Sequence, residues 1–302
     1  MTAKHDVADS LEASLGAPIY NDVIKKWVGR GELHYEKYVR TTELLSLQTP
    51  GDELVIPDEL MFQIVHQSQE LWLKLASHEA VRATRALSGG DAWAAIALFE
   101  RMKRIVEGMT AEIHVLETMT PLSFQVVRRS LGMGSGLESP GYNQLTTAAE
   151  ALKGAFEALL LSRQVTLLDV YREPGGQGDL LRIAEALLDL DETFQHWLTR
   201  HFMLVRRTIG VDKTVRALDG FPTMGLAARM IQPLFPTLWD VRVEMTRTWK
   251  REGGYEPGEA RRAAGVSGTM RAQRDPGDEP PDDRVSSARL RSGCPMGGGG
   301  DP

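Results

Sequence analysis

The sequence predicts an all-α protein of long antiparallel helices joined by short connections. Three observations carry this. Residues 57–87, PDELMFQIVHQSQELWLKLASHEAVRATRAL, contain no helix breaker after Pro57. Clusters of Gly and Pro recur between long stretches of helical periodicity. Strand-like alternation is scarce throughout.

Taken in order, residues 1–30 read as an N-terminal arm with a short helix, capped by Asn21 and running to about Trp27. The segment 34–50, HYEKYVRTTELLSLQTP, carries Tyr35 and Tyr38, then an apolar cluster at Leu44, Leu45 and Leu47. Thr49-Pro50-Gly51-Asp52 makes a turn. In the helix that follows, Leu60, Ile64, Leu71 and Leu75 are expected to form the apolar face. Phe62 and His66 are four apart and stack on one side of it. The helix ends at Ser88-Gly89-Gly90.

Asp91 caps a second helix carrying Trp93, Ile96, Leu98, Met102, Ile105, Met109, Ile113 and Leu116. It stops before Thr120-Pro121. A short helical piece spans Phe124–Leu131, and a Gly/Ser-rich loop occupies residues 132–142. Residues 143–171 are expected as a third long helix, closed by Glu173-Pro174-Gly175-Gly176. Asp179 is expected to cap a fourth, continuing through residues 206–210. Pro222 opens a further helical region, broken near Pro233 and Pro236 and resuming to about Arg251. No internal repeat is present. From Gly253 onward Gly, Pro, Arg, Asp and Ser dominate, a composition expected to stay disordered over 253–302.

Composition narrows the function classes. At roughly 150 residues per domain, 302 residues make one large domain or two small ones. The net charge is −6 and no long basic run occurs, which argues against nucleic acid and anionic membranes as partners. No apolar run approaches the roughly 20 residues of a membrane helix. The N-terminus lacks the regions of a signal peptide, so a cytoplasmic location is expected. Cys294 is the single cysteine, which excludes an internal disulfide and a multi-thiolate metal site.

Histidines are the remaining chemical signal. A lone histidine on an apolar helix, such as His66, is commonly a core residue bonded to a backbone carbonyl. His196 and His201 are five apart and do not share a helix face. No HExxH or carboxylate–His spacing accompanies them, which argues against a zinc or non-haem iron triad. One histidine from a bundle helix is, however, a common way to hold haem iron with the opposite face left open.

The chain resembles the tryptophan 2,3-dioxygenase superfamily of histidine-ligated, haem-dependent aromatic oxygenases. The resemblance is collinear from about Leu33 to Arg247. YEKYVRTTELLSLQ (35–48) resembles the tyrosine-bearing entry segment. FQIVHQSQELWLKLASHE (62–79) is similar to the distal helix and is the most specific match. LETMTPLSFQVVRRSLGMGSGLES (116–139) resembles the substrate-arginine segment and its loop. RHFMLVRRTIG (200–210) is similar to the proximal-histidine helix, and FPTLWDVR (235–242) resembles the closing segment.

The resemblance implies one haem b per subunit in a helical oxygenase domain over 31–252, in a homodimer or homotetramer. It implies that His201 is the proximal iron ligand and His66 the distal histidine that meets the substrate's ring heteroatom. Phe62 would wall the substrate pocket, Arg128 would bind the substrate carboxylate, and Ser135 would lie in the loop over the haem. Tyr35 and Tyr38 would help close a pocket, partly that of a neighbouring subunit.

The sequence also departs from the family pattern. Phe124 stands where tryptophan dioxygenases usually have a tyrosine near the substrate carboxylate. Ile113 stands where bacterial members have a tryptophan beside the proximal histidine. The Gly-rich loop that grips the amino acid end is replaced by VDKTVRALDGF, residues 211–221. Lys213, Thr214 and Arg216 are candidate replacements for its contacts. These departures resemble the branch of haem-dependent tyrosine hydroxylases from antibiotic pathways, which make L-DOPA with hydrogen peroxide. The alternative is tryptophan oxygenation, by ring cleavage to N-formylkynurenine or by single-oxygen insertion; the oxidant is hydrogen peroxide or dioxygen, which the sequence does not decide. A haem carrier without turnover is a second alternative, opposed by the pairing of Arg128 with His66.

Overall fold

A computed structural model describes residues 8, 10–11, 34–230 and 232–249. The chain separates into two units, Met1–Trp249 and Lys250–Pro302, and the described residues all belong to the first. The expected N-terminal helix at 21–27, the tail over 253–302 and Cys294 lie outside the described residues.

The described helices are α1 (His34–Val39), α2 (Thr41–Leu44), α3 (Asp58–Ser88), α4 (Ala92–Leu116), α5 (Pro121–Ser130), α6 (Pro140–Ser162), α7 (Leu167–Arg172), α8 (Gly178–Thr208), α9 (Thr223–Met230) and α10 (Pro236–Thr248). Among the described residues there is no strand, and the single β-bridge pairs Arg216 with Pro222. No described helix is long and apolar enough to cross a membrane. The chain has the all-α architecture that the sequence predicts. The bundle is α3 packed between α4 and α6, with α8 on the other side of α4.

Local chemistry sets most helix ends. Asp91 accepts a hydrogen bond from the Ala94 N–H at 3.0 Å and starts α4 as expected. Thr120 does the same for α5 from the Ser123 N–H, with Pro121 in the first turn, so α5 begins three residues before Phe124. The expected 143–171 helix is two helices. Gln164 adopts a left-handed conformation (φ 56°), and Thr166 with Asp169 forms a capping box that starts α7. Asp179 does not cap α8, which begins at Gly178; its carboxylate pairs with Arg163 at 3.0 Å instead. Gly210, at φ +79°, lies just past the end of α8.

The core corrects the expected face of α3. Its buried residues are Val65, Leu73, Ala76, Ala80, Ala83 and Leu87, together with Glu59 and Glu79. Leu60, Ile64, Leu71 and Leu75 are exposed on the opposite side, beside Trp72. At 3.6 residues per turn both stripes are continuous, so α3 is apolar on two faces. The alanines choose between them: three small residues on one face bring the neighbouring helices close. Trp93 of α4 is likewise exposed, and the other expected apolar positions of α4 are buried or half-buried.

Asp191 of α8, fully buried, ties the C-terminal segment to this core. It accepts from the backbone N–H groups of Leu234 and Phe235, both at 2.9 Å, from the Trp239 indole at 3.0 Å and from the Gln195 amide at 3.1 Å. A buried carboxylate is tolerated only when its oxygens are satisfied in this way. Asp191→Ala would leave buried donors without an acceptor. We expect it to lower unfolding stability by at least about 3 kcal/mol, read as a lower urea midpoint with an unchanged m-value.

Candidate active site

α3, α4, α5, α8 and the loop before α6 enclose a cavity of about 510 Å³. Its wall is mostly apolar and its few polar groups converge, as in sites for drug-sized ligands. Phe62, His66, Phe124, Arg128, Ser135 and His201 all line it. Tyr35 and Tyr38 do not; they are 70% and 90% exposed on α1. His196 is exposed and faces away from the cavity.

His66 enters from α3. Its Nδ1 lies 2.7 Å from the Phe62 carbonyl oxygen. A carbonyl can only accept, so Nδ1 carries the proton and the neutral ring presents the lone pair of Nε2. The Phe62 ring lies over the imidazole, with centroids 4.0 Å apart, and Phe124 continues the wall at 6.2 Å from Phe62. Burial lowers the His66 pKa, outweighing the opposing effects of the Phe62 carbonyl and Glu70. That shift favours the neutral ring, although His66 is exposed where it opens onto the cavity.

His201 enters from α8. Burial, with a smaller effect from His66, pushes its pKa down to about 4. The backbone of Gly136 passes close by, near enough that a Cβ there would meet Nε2 and Cε1 at 4.0 Å. Two neutral imidazoles thus face one cavity from opposite helices.

Arg128, from α5, donates from Nη2 to the Arg216 carbonyl oxygen at 2.8 Å. That bond fastens the 211–222 segment over the cavity. The segment is a short hairpin. Asp212 accepts from the Thr214 N–H at 2.9 Å, Ala217 donates to the Phe221 carbonyl at 2.9 Å, and buried Thr223 donates to Val215 O at 3.1 Å from its N–H. The Ser135 hydroxyl and the Phe221 N–H hold the Asp219 carboxyl below its ordinary range. Of the expected replacements, Thr214 bonds Asp212 and Arg216 bonds the Gly220 carbonyl, while Lys213 is exposed. Ala217, Leu218 and Phe221 line the cavity in their place.

Several lining residues were not singled out in the sequence. Glu70 accepts from the Gly141 N–H at 2.9 Å and from the Ser139 hydroxyl, which fixes the start of α6 against α3. A Cβ on Gly141 would come within 2.6 Å of that carboxylate and 2.7 Å of Leu73 Cβ, so only glycine fits. Gln69 and Trp197 also line the cavity. The available signal was spacing: Gln69 and Glu70 are three and four residues after His66, and Trp197 is four before His201.

A sequence profile described as tryptophan 2,3-dioxygenase matches residues 22–149. The chain is 30% identical over 264 residues to the tryptophan 2,3-dioxygenase of Caulobacter vibrioides, covering 71% of this chain and 99% of that protein. It is also 30% identical over 263 residues to that of Herpetosiphon aurantiacus, covering 70% and 98%.

The chain belongs to the tryptophan 2,3-dioxygenase family.

A third relative of the same description, from Anaeromyxobacter sp. strain K, is 31% identical over 260 residues, covering 70% of this chain and 95% of that protein. Proteins of this family are haem-dependent, and the chain is accordingly a haem-dependent aromatic oxygenase. The cavity fits a haem on its own evidence. It is apolar, and it offers an imidazole whose pKa of about 4 keeps the coordinating lone pair free.

His201, rather than exposed His196, has the setting an iron ligand needs. We expect His201→Ala to lose haem or its native Soret band and His196→Ala to keep both, as read by absorption spectra of purified protein. The reverse pattern would move the ligand to His196.

Proposed function

We propose that this chain oxygenates an aromatic amino acid, with tryptophan as the leading substrate, using one haem b per subunit held by His201. The observation that carries the reading is the placement of Arg128 and the free Nε2 of His66 on one apolar cavity. The relatives described as tryptophan 2,3-dioxygenases support tryptophan over other ring systems.

Each side chain has a defined task. One N–H of the Arg128 guanidinium is committed to Arg216 O, and its remaining donors can pair with an amino acid carboxylate. His66 Nε2 accepts a hydrogen bond from the indole N–H and can receive or return a proton there. Phe62 and Phe124 hold the ring by stacking and exclude water. The haem, when bound, supplies the binding and activation of the oxidant.

A second reading is hydroxylation of L-tyrosine to L-DOPA with peroxide. The hairpin favours it: its cavity face is Ala217, Leu218 and Phe221, and Phe124 supplies no hydroxyl beside Arg128. This amino acid clamp differs from a Gly-rich loop. His66 Nε2 accepts from a phenol O–H as well as from an indole N–H.

The outer face of α3 supports a homo-oligomer, dimer or tetramer. Leu60, Ile64, Leu71, Trp72 and Leu75 make an apolar stripe, and such stripes mark subunit contacts. A solution mass of a single subunit would oppose it.

Product identification separates the substrates. Tryptophan with air and reductant should gain two oxygen atoms. Turnover of tyrosine with peroxide to a product heavier by one oxygen atom, and none of tryptophan, would establish the second reading instead.

A further inference from the structure

We propose that Gln69 is a positioning residue that sets the orientation of the His201 imidazole through Trp197. The proposal rests on His201 being the haem ligand and adds a residue that governs how that ligand is held.

Gln69 lies on α3, one turn after His66. Its Oε1 accepts from the Trp197 indole N–H at 3.0 Å, and its Nε2 donates to the Met109 carbonyl of α4 at 2.8 Å. An indole nitrogen only donates and a carbonyl only accepts, so these partners fix which way the amide faces. One side chain thereby joins α3, α4 and α8.

Trp197 lies on α8, one turn before His201, and is 8% exposed. Its ring is roughly parallel to the imidazole, with centroids 6.3 Å apart and planes 28° from each other. The Phe194 ring lies 5.5 Å from the indole, tilted by 36°. No hydrogen bond from a described residue holds the His201 nitrogens. Ile113, an aliphatic side chain, also lines the cavity and offers none. The ring's azimuth is therefore left to packing, and the indole is the flat surface beside it. The indole's own angle is fixed by Gln69. Metal ligands are commonly oriented by a hydrogen bond to their second nitrogen; here a neighbouring ring, itself hydrogen-bonded, takes over that role.

The test uses the ferrous holoprotein and the iron–histidine stretching band in resonance Raman spectra. Gln69→Leu removes the acceptor, and Trp197→Phe removes the donor while keeping an aromatic ring. Both variants should retain haem and helical content, and both should shift or broaden the band beyond the spread between preparations. The double variant should shift it no further than the larger single effect, because the two residues act through one bond. A native band in either loaded single variant overturns the proposal. So does an additive double variant. Should Gln69→Leu fail to load, Trp197→Phe and its band decide alone. His201→Ala with a native Soret band would instead refute the ligand assignment beneath it, an outcome distinguishable from a native band in Gln69→Leu.

Discussion

The apolar setting of the half-buried His201 imidazole is the constraint on which the site depends. An imidazole inside an apolar wall stays neutral to about pH 4 and keeps a lone pair that no proton occupies. That requires α8 to lie firmly against α4, with the loop before α6 closing over the ring. Buried Asp191 and the Glu70–Gly141 contact secure these placements from two directions. Desolvation acts in the same direction on His66, whose ring opens onto the cavity and whose carbonyl bond chooses the tautomer. His66 thus combines the backbone bond common to a lone helix histidine, made by its Nδ1 to Phe62 O, with a place on the cavity wall.

The helix ends were largely legible because capping is local. Asp91 acts on a donor three residues away, so the sequence carries that signal whole; Thr120 carries the same signal for α5, whose start was expected only near Phe124. Thr166 with Asp169 carried the same signal inside the expected 143–171 helix, where continuous apolar periodicity masked it. The face of α3 was not legible. Leu60, Ile64, Leu71 and Leu75 make as apolar a stripe as Val65, Leu73 and Leu87 with Ala76, Ala80 and Ala83, yet the second is the buried side. Which stripe is inside depends on how closely α4 and α6 approach, and no single helix encodes that distance.

Within the site, the residues that converge on the cavity were legible mainly through the collinear family resemblance. Phe62, His66, Phe124, Arg128, Ser135 and His201 come from three helices and a loop, up to 139 positions apart. At residues 211–221 the sequence shows the loss of a Gly-rich loop but not the hairpin that stands in its place. Its polar residues, which invited a role with substrate, are spent on its own turns: Thr214 on Asp212, Arg216 on Gly220. Its apolar residues face the cavity instead. An apolar cover stands there in place of a polar nest, and Arg128 is the guanidinium beside it on the cavity wall. Gln69 and Trp197 are not legible in the sequence because their significance lies in a bond spanning 128 positions.

In the proposed function His66 performs proton chemistry at the substrate while His201 holds the cofactor. The most direct measurement is single-turnover kinetics of haem-loaded His66→Ala with whichever amino acid the native protein consumes. The variant should keep its haem and bind that amino acid, and it should turn over about 10²–10⁴-fold more slowly. Undiminished turnover in a fully loaded His66→Ala protein would contradict the account.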